Sequence, residues 1–271
     1  MTKKNKLKGK EEEILNLFDS GIYTIKKLAE LFNVSSVAMN YFLKKQNRNA
    51  KSKNEAARIY SINQNYFDEL DDQNKFYILG LLFADGCNLI KNRKVLISLK
   101  SEDSFILEQI NQLLEHNKPL YNHKPKTFIQ NNVEYQSSGH STLSIISLKI
   151  SERLYELGIV NNKSLIITYP KYIPQNMHRH FIRGYFDGDG GVYKGISFVG
   201  TNNFINNIKM ILQNELELVS NTKIIKHCKS NVYYYRITKK HDLSKVFNYL
   251  YEDAYLYIPR KRTKFQNLLT K

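Results

Sequence analysis

Residues 76–90 read FYILGLLFADGCNLI, and residues 180–193 read HFIRGYFDGDGGVY. Each is an apolar helical run that stops at an acidic elbow, Asp85-Gly86 in the first and Asp189-Gly190 in the second, 104 positions apart. The features downstream recur in the same order. Two strand-like runs follow each elbow, CNLI with KVLISLK and then GVY with ISFVGT. Next come a helix (SFILEQINQLLEH, FINNIKMILQNELEL), two more strand-like runs near 120–149 and 222–238, and a closing helix (SERLYELGIV, DLSKVFNYLYED). The expected fold is α+β, built from two related halves of plan helix, two strands, helix, two strands, helix. Gly80 and Ala84, like Gly184 and Gly188, stand four apart on one helical face, where small residues let two helices approach backbone to backbone. Helices packed that way bring Asp85 and Asp189 together. Two neighbouring carboxylates repel and are best tolerated around a divalent cation, and an oxygen-only set suits Mg²⁺ completed by water and substrate phosphate. One Asp-Gly alone reads as a helix-ending turn; its duplication in matched surroundings argues for a site.

The chain has 271 residues, enough to bury a large core, and its 41 Lys and Arg against 25 Asp and Glu give a formal charge of +16. Residues 1–60 hold 13 basic and 6 acidic side chains, residues 61–170 hold 11 and 12, and residues 171–271 hold 17 and 7. Basic ends around a neutral middle favour a polyanionic partner. No segment pairs a basic face with a broad apolar one, so a membrane surface is the weaker reading, and no stretch reaches bilayer length. Cys87 and Cys228 are too few for a disulfide framework and have no CxxC spacing. With no apolar leader at the N-terminus, the expected location is cytoplasmic. His178, His180 and His227 lack a third ligand at zinc spacing, and no phosphate-binding Gly-rich loop occurs, so no small-molecule cofactor is expected.

Residues 11–46 read as three short helices, EEEILNLF, TIKKLAELF and SVAMNYFLKK, the last two joined by a few residues as in a helix-turn-helix. Leu28, Leu31, Val34, Val37 and Tyr41 are the expected core, which leaves Ser36, Asn40 and Lys44 outward. A three-helix bundle without DNA contact has the same pattern. The expected domains are 1–50, a linker 51–75 anchored by Tyr60, Tyr66, Phe67 and Leu70, and the halves 76–170 and 171–271.

With the repeat in place, the chain resembles the LAGLIDADG homing endonucleases, through ILGLLFADG at 78–86 and IRGYFDGDG at 182–190, over about residues 76–271. The resemblance implies two pseudo-symmetric αββαββα halves packed through the motif helices. It also implies divalent metal at the last acidic residue of each motif, here Asp85 and Asp189. Asp187 matches an earlier acidic position where the first copy has Phe83, and it is not assigned to catalysis. The family places a lysine after each closing helix, near the scissile phosphate. Lys163 and Lys261 fit that place, with Arg260, Arg262 and Lys264 as competitors for the second.

The implied activity is Mg²⁺-dependent, site-specific hydrolysis of both strands of double-stranded DNA. Mn²⁺ is expected to substitute, and Ca²⁺ to support binding only. A twisted antiparallel ribbon fits the major groove. Alternation in KVLISLK puts Lys94, Ser98 and Lys100 on one face and Val95, Ile97 and Leu99 on the other, with Lys91 and Arg93 at the hairpin tip. Lys194, Lys226, Lys229, Tyr234, Arg236 and Thr238 are the analogous candidates in the second half. Unequal halves imply a monomer on a long, imperfectly palindromic site. A catalytically silent DNA-binding regulator and an RNA-binding intron maturase on the same scaffold remain the alternatives. The ends carry no intein splice signature, which favours a free-standing or intron-encoded protein engaged in intron homing.

Overall fold

The computed structural model describes residues 7–19, 23–48, 60–130, 133–228 and 230–270. It divides into two compact units, Met1–Ile59 and Tyr60–Lys271.

In the small unit, α1 (Glu11–Asp19), α2 (Ile25–Leu31) and α3 (Ser36–Lys45) surround Ile14, Leu28, Ala29, Phe32, Met39 and Leu43. Thr24 and Ser35 cap α2 and α3, their hydroxyls accepting from the Lys27 and Ala38 amides at 3.2 and 3.1 Å. Asn33, at φ 52°, makes the tight turn between them. Three of the five expected core residues face solvent instead: Leu31 is 52% exposed, Tyr41 65% and Val37 80%. For Val37 and Tyr41 the phase of α3 is the reason. Met39 and Leu43 form its inward stripe, and a step of two residues rotates about 200° around a helix, so Val37 and Tyr41 point away. Ser36 and Lys44 are exposed and Asn40 is half-buried.

The large unit begins with a strap rather than a free linker. Tyr66 and Phe67 are buried in the main core, whereas Tyr60 stays exposed. The strap is tied by Ser61 to Asn117, by Arg153 Nε to the Phe67 carbonyl at 3.0 Å, and by Lys149 to Asn65 and Asp68. Next come α4 (Gln73–Asp85), β1 (Gly86–Leu89), β2 (Lys94–Lys100), α5 (Ser104–Leu113), β3 (Tyr121–His123), β4 (Lys126–Gln130), β5 (Val133–Ser137), β6 (His140–Ile146) and α6 (Leu148–Glu156). The second half runs α7 (His178–Asp189), β7 (Gly191–Val192), β8 (Ile196–Gly200), α8 (Asn202–Leu216), β9 (Ile225–Lys226), β10 (Tyr233–Ile237), α9 (Lys240–Tyr251) and α10 (Pro259–Leu269). The sheet orders are β1-β2-β6-β3 and β7-β8-β10-β9, all antiparallel pairs. These are one topology once the β4–β5 hairpin, an insertion in the first half, is set aside.

Each sheet lays its apolar face on helices, with Val95, Ile97 and Leu99 against Ile106 and Ile110, and Phe198, Tyr235 and Ile237 in the layer of Phe204, Ile208 and Leu212. The motif helices α4 and α7 join the halves. A Cβ at Gly80 would overlap the Phe181 carbonyl, and one at Gly184 the Tyr77 carbonyl, so the backbones touch as the sequence expects. One further element is absent from the sequence reading. The basic stretch after Pro259 is a helix, α10, anchored by buried Phe265 on Phe186 and Phe247.

Candidate active site and nucleic-acid interface

Because α4 and α7 pack so closely, their C-terminal residues converge. A Cβ at Gly188 would lie 2.9 Å from Asp85 Oδ2, which puts the first carboxylate against the backbone that carries the second. Both carboxylates reach solvent at the bottom of this junction. The protein packed around them and the charge of Asp189 push the Asp85 carboxyl up to about 6, and loss of hydration raises Asp189 as well. Lys163 and Lys261 oppose both shifts.

The two lysines cap the motif helices in the same way. Lys163 Nζ donates to the Ala84 carbonyl at 3.1 Å and to that of Gly86. Lys261 Nζ donates to the Phe186 and Gly188 carbonyls at 3.3 Å and to that of Gly190. Ala84 and Gly86 are the repeat equivalents of Gly188 and Gly190. Each ammonium thus meets the carbonyl end of a helix beside a carboxylate, and burial lowers the pKa of both. Lys163 sits in a 3-10 turn (Lys163–Leu165) and is 6% exposed, whereas Lys261 sits in the first turn of α10 and is half-buried.

Asp187 lies apart from this site, buried, with Oδ1 accepting from Tyr251 at 2.7 Å and Oδ2 from Tyr77 at 2.9 Å and the Ile258 amide at 2.8 Å. Burial pushes it up to about 6, against those three donors and Arg183. Among the competitors for Lys261, Arg260 is spent on Asp103 and Glu102 at 2.6 and 3.1 Å, and Arg262 lies over the Tyr257 ring. Among the described residues no three His, Cys, Asp or Glu gather as a metal cage. The donors for a cation are therefore the two carboxylates, a set that fits Mg²⁺, which keeps most of its water and accepts one or two carboxylates with phosphate.

On the outer face of the first sheet, Lys94, Ser98 and Lys100 alternate with buried Val95, Ile97 and Leu99, as expected. Ser98 bonds Thr142 at 2.8 Å across to β6. Lys91 and Arg93 are exposed at the β1–β2 turn, Arg93 at φ 54°. In the second sheet Tyr234 and Arg236 pair with Val199 and Ser197 on the outer face, with Thr238 just beyond, and Lys194 is exposed at the β7–β8 turn. Lys226 differs: it pairs with Tyr233, over whose ring it lies, on the opposite face of the strand. Lys229 lies outside the described residues.

Sequence reasoning missed Lys118, whose Nζ reaches Ser144 Oγ at 3.3 Å and whose pKa is lowered by partial burial and by Lys94. It also missed the His123–His140 stack, with ring centroids 3.9 Å apart, facing out beside Lys100. Neither has a local signal, because cross-strand register brings both to the face.

A family model described as LAGLIDADG-like domain matches residues 176–251. No curated protein is significantly similar in sequence. Among solved structures, the homing endonuclease I-WcaI bound to its DNA recognition sequence is 15% identical, covering 74% of this chain and 91% of its own, with TM-score 0.49. The meganuclease I-SmaMI bound to uncleavable DNA with a TTCT central four is 12% identical, with coverages of 74% and 90% and TM-score 0.45. The I-LtrWI LAGLIDADG homing endonuclease bound to target DNA is 12% identical, with coverages of 76% and 89% and TM-score 0.45. Residues 176–251 are thus similar to a LAGLIDADG-like domain, and the first half repeats the order of elements found there.

Proposed function

We propose that the chain is a site-specific endonuclease that hydrolyses both strands of duplex DNA. The observation that carries this reading is the pair of matched acid-and-lysine ends, Asp85 with Lys163 and Asp189 with Lys261, brought to one junction by the Gly80 and Gly184 contact. Isolated helix caps would not need two exposed carboxylates that repel each other. Asp85 and Asp189 would hold Mg²⁺, or Mn²⁺ in its place, and the metal would neutralise charge on the scissile phosphates and favour attack by water. Lys163 and Lys261 fix the ends of the motif helices and set positive charge where the phosphate gains negative charge. Lys94, Ser98, Lys100, Tyr234, Arg236 and Thr238 face the groove from the two sheets. Lys91, Arg93 and Lys194 take phosphate contacts at the turns. The basic small unit adds contacts through Ser36, Asn40 and Lys44 of α3.

The test is selection of bound duplexes from a random library in Ca²⁺, followed by Mg²⁺ on the enriched pool. Defined double-strand breaks that vanish in Asp85→Asn and Asp189→Asn are expected. Specific binding without cutting would make the chain a regulator, and no duplex enrichment would turn the reading towards RNA.

A further inference from the structure

Aspartate is a favoured N-cap, and Asp103 stands in that place before α5, yet its carboxylate makes no cap hydrogen bond. Both of its oxygens accept instead from the Arg260 guanidinium, Oδ1 from Nε at 3.2 Å and Oδ2 from Nη2 at 2.6 Å. The pair is bidentate and runs from the first half to the first turn of α10 in the second. Asp103 is 4% exposed, whereas Arg260 is partly exposed and also meets Glu102 at 3.1 Å. Arg260 adjoins Lys261 in sequence, so the pair holds the turn from which Lys261 reaches the end of α7.

The same place in the second half is taken by Thr201, the N-cap of α8. Its hydroxyl accepts from the Phe204 amide at 3.2 Å, as a cap does, and donates to the Ile167 carbonyl at 2.6 Å. Ile167 belongs to the turn that carries Lys163, its amide donating to the Lys163 carbonyl at 3.0 Å. Each half thus reaches, from the start of one helix, to the segment of the other half that bears the capping lysine. In one direction a single hydroxyl both caps and braces. In the other the cap is given up for an ion pair.

We propose that Asp103 is a positioning residue for Lys261: through Arg260 it fixes the first turn of α10 and with it the ammonium at the end of α7. Within the second half the same segment is held by Arg183 on the Leu256 carbonyl and by Asp187 on the Ile258 amide. Asp103 supplies the hold from across the junction. This rests on the endonuclease reading and deepens it, because the lysine of one half is set for its work by the other half. Two electrostatic effects of removing the Asp103 charge point the opposite way. The Arg260 cation would be freed towards DNA, and the Asp85 carboxyl, raised by burial, by Asp189 and in smaller part by Asp103, would ionise more readily. Slower cleavage on loss of Asp103 is therefore a signature of position and not of charge.

The experiment uses the full chain, in excess over a labelled duplex carrying the selected site. In Asp103→Asn the cleavage rate in Mg²⁺ should fall about tenfold, while binding in Ca²⁺ stays within about twofold or tightens. On a Lys261→Met background the same change should slow the residual rate no further, since a residue acting through Lys261 has nothing left to act on. A merely structural role would add its cost in both backgrounds. Arg260→Gln should slow cleavage as Asp103→Asn does, and the two together no more than the slower of them, with Glu102→Gln as the control that stays near wild type. Hydrogen exchange gives a readout that needs no cutting: peptides from residues 256–266 should lose protection in Asp103→Asn, while those from α5, which Asp103 does not cap, should keep theirs. Unchanged or faster cleavage, equal slowing in both backgrounds, or unchanged exchange over 256–266 would overturn the proposal. A wild type that binds its duplex and never cuts overturns the endonuclease reading, while exchange still decides whether Asp103 holds α10. Asp103→Asn keeps the shape of the side chain; if it melts below wild type, the double variant with Arg260→Gln, which leaves neither charge of the pair without its partner, replaces it in each measurement.

Discussion

The motif helices α4 and α7 are equivalent in sequence position and opposite in chemistry. At the position where α4 carries Phe83, α7 carries Asp187, and at the position of Leu79, α7 carries Arg183. Phe83 packs on Phe181 and Phe204 with centroids 5.3 and 6.0 Å apart. Asp187 instead gathers two tyrosine hydroxyls and a backbone amide. Arg183 gives Nε to the Leu256 carbonyl at 2.8 Å and Nη1 to that of Leu250 at 3.0 Å, and lies 5.2 Å above the Tyr77 ring. The same junction is held by dispersion on one side and by a buried polar network on the other. Only the backbone contact, the acidic ends and their lysine caps are common to both. The two halves share what the junction and the proposed chemistry need, and differ in the rest.

The comparison breaks first at its symmetric part. Gly80→Val and Gly184→Val each place branched carbon inside a facing backbone carbonyl, so each should cost more than about 4 kcal/mol and abolish cooperative melting of the large unit. A variant that melts within a few degrees of wild type would show that the backbones do not touch.

The asymmetric part separates by pH more than by size. Phe83→Ala should cost about 3–4 kcal/mol as a core truncation, and Asp187→Ala about 3–5 kcal/mol because three donors lose their acceptor. With its folded carboxyl raised to about 6 against an ordinary 3.8, the native state takes up this proton before the unfolded chain does. The contribution to stability therefore grows as pH falls from about 7 towards 4. Denaturant midpoints across that range should keep this slope in Phe83→Ala and lose it in Asp187→Asn; an equal slope in both would remove Asp187 from the account.

The smallest effect lies at the acidic ends. In the proposed chemistry a cation is held by ionised Asp85, so the rate of DNA cleavage should fall as pH drops through about 6, and more Mg²⁺ should move that fall to lower pH because metal and proton compete for one carboxylate. Metal-free Asp85→Asn should melt slightly higher than wild type at neutral pH, since a like-charge repulsion is gone. A lower melting point there would mean that the carboxylate is a structural acceptor.

The parts of the fold legible in the sequence are those fixed by local spacing. Gly80 with Ala84 and Gly184 with Gly188 can be read because helix contact at backbone distance admits few residue types, and β2 because one face of KVLISLK is buried. The phase of α3 is not legible: Val37 and Tyr41 offer apolar side chains as Met39 does, and only the neighbours of the helix decide which side turns inward. The β4–β5 hairpin is not legible because KTFIQ and VEYQS sit in a polar stretch of sequence with few apolar residues to mark a strand. At the site, Asp85 and Asp189 are legible because each ends a small-residue helix, and Lys163 and Lys261 lie against the carbonyls at those ends. Lys118 and the His123–His140 stack reach the face only through strand register.

The Tyr77–Asp187 bond has a consequence for exchangeability. The repeat equivalent of Tyr77 is Phe181, which has no hydroxyl. Two copies of the second half would therefore leave each Asp187 short of a donor in a dry interface. Two copies of the first would give Phe83 a tyrosine ring where it now meets Phe181. The halves have become a matched pair, and a half transplanted from another protein must bring a partner for position 187 or leave its buried carboxylate one donor short. Restoring interchangeable parts would take Arg183→Leu and Asp187→Phe together, because either change alone removes the opposite charge that offsets the other in the buried interface.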